Sequence, residues 1–252
     1  MCLVVFSFEP PTDHKFVLFA NRDEFYERQA SPMQWWKDNH EILAGKDISS
    51  GGTWLGIGKD GRFGAITNYK EPVNKEKNIV SRGLLIKEYL ENPGFNALAY
   101  FDQIDGSSYS GFSLILGDKN GVHYFSNRSS AVTSLNSGTH ALSNILLNSE
   151  ESKANSVKKD FNKSKESIKD HSGYIEFMLH DKGNIEEENS SDLTSSIGIG
   201  EIPYRFITSK SYGTRCTTVL TISKNGLYEV SEMRFKARGE KCGKSIFSFY
   251  PE

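Results

Sequence analysis

The sequence predicts an α+β fold in which helices cover stacked antiparallel sheets. Three observations indicate this class. Strand-like runs joined by tight turns fill the first half of the chain, helical spacing of apolar residues is confined to a few stretches, and strands return at the end. A single domain over residues 1–252 is predicted, because no internal repeat and no linker separates two cores.

The strand predictions rest on apolar runs and turn residues. Leu3–Phe8 and Lys15–Ala20 form the first predicted pair, joined by a segment whose prolines exclude a helix. The turn residues Lys59–Gly61 and Asp118–Gly121 are each flanked by apolar-rich runs, which is typical of hairpins. A last pair of strands is predicted on either side of the turn Lys224–Gly226.

The helix predictions rest on apolar residues at helical spacing. Ser81–Glu91 is predicted as a helix with an apolar face between Leu84 and Leu90, and residues 95–104 as a short second one. The charged stretch 150–180 is predicted to hold one or two surface helices. Residues 186–192 are predicted to be a loop that caps the segment after it.

Charge and hydropathy exclude several classes of protein. The net charge of −2 favours neither nucleic acid nor an anionic membrane as a partner. No run approaches the roughly 18 apolar residues of a membrane-spanning helix, and the start has no basic region of a secretory signal. A reducing, cytoplasmic compartment is expected.

Cysteine and histidine spacing indicates neither a disulfide framework nor a metal site. Cys2, Cys216 and Cys242 are an odd number at unrelated spacings, and the six histidines have no metal-ligand spacing. The glycines of residues 56–61 match a dinucleotide fingerprint, but a strand rather than a helix is predicted to follow, so they are assigned to the hairpin.

Cys2 combines a thiol with the chance of becoming the first residue. Cysteine is small enough for the initiator methionine to be removed before it, and the freed α-amine, with a pKa of about 7.7–8.0, would be a general base beside the thiol. A buried, inert cysteine is the competing interpretation.

Arg22 and Asp23 follow the second predicted strand, where charges commonly solvate a turn. If the first two strands form a hairpin, however, these residues return to the chain start. Arg22 would then favour the Cys2 thiolate, and Asp23 would orient the amine.

Several ordered stretches resemble one family: MCLVVFSF, LFANRDEFYERQ, EILAGKD, GGTWLGI, GRFGAITNYKEP, SRGLL, YSGFSLILGD, GTHALSN and YGTRCTTVL. They are similar to the NRDE family, also called the transport and Golgi organisation protein 2 family. That family resembles N-terminal-nucleophile hydrolases of the penicillin V acylase and bile salt hydrolase branch. The resemblance implies a four-layer αββα sandwich and a cysteine-dependent cleavage of non-peptide amide bonds.

The resemblance also implies roles for individual residues. Cys2 matches the nucleophile, Arg22 and Asp23 match the residues that set it up, Asn68 and Asn144 match the pair that stabilises an oxyanion, and Arg215 matches a late arginine near the nucleophile. The ordinary alternatives are that the two asparagines begin turns and that Arg215 caps a helix or pairs with an acid.

Two main functions follow from these residues. The first is an amidohydrolase that acts on a small-molecule amide and requires no cofactor. The second, implied by the family, is a carrier of haem or acyl lipid, in which Cys2, His40 or His140 would contact the haem iron. A trafficking scaffold is a third interpretation, but it requires a large exposed apolar face, which the sequence does not show.

Overall fold

The computed structural model describes residues 2–72, 80–129, 131–150, 152–185 and 202–252. Within these ranges the strands are β1 (Cys2–Phe8), β2 (His14–Phe25), β3 (Ala30–Trp35), β4 (Ile42–Asp47), β5 (Leu55–Gly58), β6 (Phe63–Asn68), β7 (Phe112–Asp118), β8 (Gly121–Ser126), β9 (Thr133–Leu135), β10 (Thr139–Leu142), β11 (Lys182–Asn184), β12 (Phe206–Thr208), β13 (Tyr212–Ser223), β14 (Tyr228–Phe235) and β15 (Lys241–Phe249). The α-helices are α1 (Gly83–Glu91), α2 (Ala97–Phe101), α3 (Lys153–Ser164) and α4 (His171–Leu179).

Two large antiparallel sheets organise the molecule. The first has the strand order β10-β1-β2-β13-β14-β15, and the second runs β3 to β9 in sequence order. A short parallel pair, β11 and β12, lies beside them. The first sheet therefore places the chain start, on β1, between β10 and β2, in the middle of the fold rather than at its edge.

Apolar side chains alternate between the two faces of each sheet, which creates three core layers. Val4 and Phe6 point into the core between the sheets, whereas Leu3 and Val5 point to the other face, where α3 and α4 pack. A third cluster covers the outer face of the second sheet with α1 and α2. This arrangement confirms the predicted helix–sheet–sheet–helix sandwich. Each fully buried side chain of this kind stabilises the fold by roughly 1.5–3 kcal/mol.

The helices begin and end for local reasons. In α3, Val157 and Phe161 lie four residues apart on the buried face, as the sequence predicted. The Ser152 side chain accepts a hydrogen bond from the Asn155 amide and caps this helix, and Asp170 caps α4 in the same way. The predicted helix at Ser81–Glu91 is confirmed as α1, which begins two residues later.

One strand boundary was predicted wrongly. β2 continues to Phe25, so Asn21, Arg22 and Asp23 lie inside a central strand and are 5% exposed or less. A run of charges normally indicates a solvated turn, but here each group has buried polar partners, so the strand continues through them. The predicted loop at residues 186–192 lies outside the described residues.

Candidate active site

Cys2 is the first residue of β1, and its register fixes what lies beside it. Cys2 is directly opposite Arg22 on β2, and Arg22 is opposite Cys216 on β13. Directly opposed residues share one face of a sheet, so these three side chains face the layer between the sheets. The structure thus brings the chain start and Arg22 together, as the hairpin argument expected.

Arg22 is held by an aromatic ring and a carboxylate. Its guanidinium lies 4.3 Å from the centroid of the Trp54 ring, and its Nη2 donates to Asp47 Oδ2 at 3.4 Å. The same Asp47 oxygen accepts a 2.7 Å hydrogen bond from Nε of Arg28. Nη1 of Arg22 is buried and has no hydrogen-bond partner among the described residues. One donor of the guanidinium is therefore free for a ligand.

Asp23 is buried on the opposite side of β2 and anchors the strand. Its Oδ1 accepts a 2.7 Å hydrogen bond from the Thr214 hydroxyl, and its Oδ2 lies 3.8 Å from the buried Nζ of Lys153 on α3. Asn21, on the same face, donates to the backbone oxygens of Met178 and Arg205. These contacts lock the site strand to the helical layer behind it.

The two predicted oxyanion residues occupy different positions. Asn68, the last residue of β6, is half-buried and lines the cavity that contains Cys2. Asn144 lies behind it: its Nδ2 donates to the Asn68 backbone oxygen at 2.9 Å. Asn144 therefore supports the backbone at Asn68 through one of its two N–H groups, and it does not line the cavity.

Arg215 lies at a bulge between Thr214 and Cys216 in the β2–β13 pairing. Its Nη1 donates to the backbone oxygens of Phe25 and Arg28, at 2.7 and 2.9 Å. Arg215 lines a second cavity, not the one that contains Cys2. The structure therefore brings Cys2, Arg22, Asp23 and Asn68 to one cavity and leaves Arg215 outside it.

Neither candidate haem histidine lies at this cavity. His40 is exposed, just before β4. His140, on β10, stacks on Phe6, and both of its ring nitrogens are hydrogen-bonded, Nε2 to the Ser137 backbone oxygen and Nδ1 to the Asn148 side chain. Cys2 is therefore the one of the three candidate iron ligands that lines the cavity.

The cavity has a volume of about 120 Å³ and receives residues from both sheets and from the start of α1. Its polar and aromatic lining includes residues that sequence reasoning did not identify as site residues, among them Asp47, Trp54, Ser81 and Arg82. They belong to the stretches EILAGKD, GGTWLGI and SRGLL, whose similarity to the family was the signal that could have found them.

Arg82 is fixed at the N-terminus of α1 by a close backbone contact. The Thr53 amide donates to the Gly83 carbonyl at 3.1 Å, and a Cβ at Gly52 would lie 2.4 Å from the Gly83 carbonyl carbon. Nη1 of Arg82 donates to the Gly111 carbonyl at 3.1 Å. Burial lowers the pKa of Arg82, while nearby Cys2 acts to raise it. Arg82 forms no ion pair with a described carboxylate, so its charge is available to a ligand.

The surroundings of Cys2 push its ionisation in opposite directions. Burial raises the pKa of the thiol, and the Asp23 carboxylate raises it further. The positive charge of the chain terminus, Arg22 and a hydrogen bond from the Asp23 backbone N–H lower it, but the net pKa lies above that of an ordinary cysteine. The thiol therefore needs a base before it can attack a carbonyl.

Neither a cluster of potential metal ligands nor a membrane-spanning helix occurs in the described part of the chain. It contains no cluster of three or more His, Cys, Asp or Glu side chains able to hold an ion. None of its helices is long and apolar enough to cross a membrane.

Relatives of known sequence resemble this chain over about half their length. The mouse Transport and Golgi organization 2 homolog is 37% identical over 162 residues, which is 58% of each chain. The human homolog is 36% identical over the same span, and the Drosophila melanogaster protein is 31% identical over 129 residues, 46% of this chain and 45% of its own. The chain thus aligns with less than two thirds of each relative.

Solved structures and the family model cover more of the chain. A Caenorhabditis elegans N-acylethanolamine-hydrolyzing acid amidase ortholog superposes with a TM-score of 0.52 at 10% identity, over 87% of this chain and 92% of its own. A mutant conjugated bile acid hydrolase from Clostridium perfringens gives a TM-score of 0.46 at 12% identity, over 98% and 92%. The model of the family described as Transport and Golgi organisation 2 matches residues 1–237. The chain therefore belongs to the Transport and Golgi organisation 2 family.

Proposed function

We propose that the protein is a cysteine amidohydrolase that uses Cys2 as an N-terminal nucleophile. One observation carries the proposal: the Cys2 side chain lies in a cavity with Arg22, Asn68 and Arg82, on rigid strands and at a helix start. A thiol, cationic donors and a side-chain amide in one small cavity are the groups that acyl transfer requires.

The mechanism begins with removal of Met1, which leaves the α-amine on Cys2. The amine takes the thiol proton, and the sulfur attacks the carbonyl carbon of a bound amide. Asn68 and the guanidinium of Arg22 donate to the developing oxyanion. The C–N bond of the substrate then breaks. The substrate's amine leaves with the proton from the Cys2 α-ammonium, and a thioester on Cys2 remains. Water attacks the thioester, releases the carboxylic acid and restores the thiol.

The raised thiol pKa fits this order of events. A thiol that is protonated at neutral pH needs its proton removed at the moment of attack, and an α-amine with a pKa of about 7.7–8.0 is suited to that.

The cavity is smaller than the roughly 300–1,000 Å³ typical of sites for drug-sized ligands, so it fits the reacting amide rather than a whole acyl chain.

The test is hydrolysis of an N-acylethanolamine, the substrate class named for the C. elegans neighbour, by protein whose intact mass shows loss of Met1. Cys2→Ala should reduce turnover by roughly 10⁶-fold, to background, as loss of a nucleophile does. Cys242→Ala is the matched control, because Cys242 is exposed and outside the cavity. Quantitative retention of Met1 in protein isolated from cells would rule out the self-activated mechanism.

A second candidate function is a carrier of haem or acyl lipid, and one observation favours it. A cavity whose thiol is held protonated can bind a ligand without attacking it. Cys2 is the candidate iron ligand at the cavity, because both nitrogens of His140 are already bonded, and the Cys2 thiol would lose its proton to solvent on binding iron. A haem titration of wild type and Cys2→Ala tests this. A Soret shift lost in Cys2→Ala supports ligation by Cys2, whereas no shift in either protein removes iron ligation.

A further inference from the structure

A second cavity shares the stacked residues Arg22 and Trp54 with the Cys2 cavity. Its volume is about 150 Å³, and both stacked residues line it as well as the Cys2 cavity. Its wall also includes Ala30 on β3, Arg215 on β13, and Glu232 and Arg234 on β14. Three guanidinium groups and a single carboxylate therefore face a space much larger than one water molecule needs.

The Arg215 charge is not balanced by any described carboxylate. Its Nη1 donates to two backbone oxygens, and its Nε is buried without a hydrogen-bond partner among the described residues. Burial lowers the pKa of Arg215, and the nearby charge of Arg22 lowers it further. A half-buried guanidinium that is destabilised in this way is stabilised by an anion.

Arg22 contributes a second open donor to the same wall. The residue is 5% exposed, and its Nη1 has no hydrogen-bond partner in the described part of the chain. Its charge is only weakly balanced, because Asp47 Oδ2 is 3.4 Å from Nη2 and is shared with Arg28 at 2.7 Å.

The carboxylate in this wall is already used. Glu232 is 1% exposed, and its Oε1 accepts hydrogen bonds from the Met33 amide and from Nη1 of Arg234, each at 3.0 Å. Arg234 is held flat against β15, where Gly243 leaves room for it: a Cβ there would lie 2.4 Å from its Nη2. Glu232 therefore neutralises Arg234, and the charges of Arg22 and Arg215 remain.

We infer that this second cavity binds a small oxyanion group, a phosphate or a carboxylate, through Arg22 and Arg215. Guanidinium groups recognise both anions because their donors match two oxygens at once. The site differs from the Cys2 cavity, since Arg215 and Ala30 line only the second one. The inference does not depend on hydrolysis at Cys2.

Calorimetric titration with inorganic phosphate and, separately, with acetate tests the site at constant ionic strength. Wild type should bind at least one of the two anions saturably at one site, and the tighter one identifies the preferred oxyanion. Ala30→Glu should weaken binding by about tenfold or more, because it places a carboxylate in the wall where the anion would lie. Ala30→Gln, of equal size but uncharged, should remain within about threefold of wild type.

Two further variants complete the design. Arg215→Gln should weaken binding by about tenfold, which keeps the test decisive if Ala30→Glu does not fold. Arg82→Gln, in the Cys2 cavity, should leave the affinity unchanged. The inference is overturned if neither anion binds saturably, if Ala30→Glu and Ala30→Gln weaken binding equally, or if Arg82→Gln removes binding while Arg215→Gln does not.

Discussion

The Cys2 sulfur carries the proposed chemistry, and its neighbours set when it ionises. Burial and Asp23 raise its pKa, whereas Arg22 and the Asp23 backbone N–H oppose them. Arg22 stands directly across the strand pair from Cys2 and is packed against Trp54, so its charge cannot swing away. The Arg22 guanidinium is therefore a fixed charge that favours the thiolate, together with the positive charge of the chain terminus.

Alkylation by iodoacetamide measures this dependence. In the form of the protein that retains Met1, the rate at Cys2 should rise with pH, with a midpoint above the roughly 8.5 of an unperturbed cysteine, because the raised pKa keeps the thiol protonated to higher pH. Arg22→Gln should slow alkylation at pH 8 by about tenfold, because a charge that favours the thiolate is lost. Peptide mass spectrometry measures the modification of Cys2 and of Cys242 separately. Because Cys242 is exposed, its alkylation shows that the reagent is active.

Arg28→Gln is the matched control for that substitution. Arg28 pairs with the same Asp47 oxygen as Arg22, but it is 40% exposed and is not among the groups that shift the Cys2 pKa. Its replacement should leave the Cys2 rate within about twofold of wild type. A midpoint at or below that of an unperturbed cysteine, or equal effects of the two substitutions, would contradict this view of the residue.

At the scale of elements, the start of α1 is held by a backbone-to-backbone contact. Gly52 and Gly83 allow the segment that carries Arg82 to lie against Thr53, where no side chain would fit. This contact places a helix start at the Cys2 cavity. Its loss should therefore affect stability and the site together.

Gly52→Ala tests the contact. The new Cβ would lie 2.4 Å from the Gly83 carbonyl carbon, so the backbone must shift, and the free energy of unfolding should fall by about 1–3 kcal/mol. Gly94→Ala is the control, since its Cβ meets nothing within 4 Å, and should change stability by about 0.5 kcal/mol or less. Urea denaturation gives both values. Equal stabilities of the two variants would show that the contact is unimportant.

The first residue of α4 makes this element sensitive to acid. His171 bonds Ser231 through Nδ1 at 2.7 Å and Thr221 through Nε2 at 2.8 Å. Burial lowers its pKa to about 4, with help from His14 and Lys244, while Asp170 opposes the shift. Because the unfolded chain takes up this proton near pH 6.5, stability is full above that pH and is lost as the pH falls towards 4.

His171→Gln should remove this part of the pH dependence. Wild type should lose up to a few kcal/mol of unfolding free energy between about pH 6.5 and 4, and the variant should lose less. His180→Gln, at an exposed position near the end of the same helix, should follow wild type. Urea denaturation at several pH values measures the unfolding free energy of each protein. The same dependence of this free energy on pH for wild type and His171→Gln would contradict the prediction.

At the scale of the molecule, local patterns predicted most of the layers but not the whole site. The hairpins and α1 were predictable because apolar residues and turn residues agree along the sequence. The extension of β2 was not, because its buried charges have partners on distant elements, such as Lys153 for Asp23. The edge strand β15 was also missed, since exposed and half-buried residues alternate along it without a strong apolar signal.

The site likewise contains residues that could be predicted from the sequence and residues whose positions could not. Cys2 and Arg22 could be predicted together because strand pairing and family resemblance both point to them, whereas Asn68 was predicted from the resemblance alone. The position of Arg215 could not, because a bulge of one residue in the β13 pairing sends it to the second cavity. Asn144 is likewise redirected to the Asn68 backbone by a hydrogen bond that no local pattern specifies.

The most direct test is mass spectrometry of the protein mixed with an N-acylethanolamine and quenched in acid within the first turnover. Acid preserves a thioester, so an acyl adduct is expected on the peptide that begins with Cys2, absent from Cys2→Ala and retained in Cys242→Ala. Substrate hydrolysis by Cys2→Ala at the wild-type rate, or an adduct on another residue, would contradict the claim that the second residue of this chain is its nucleophile.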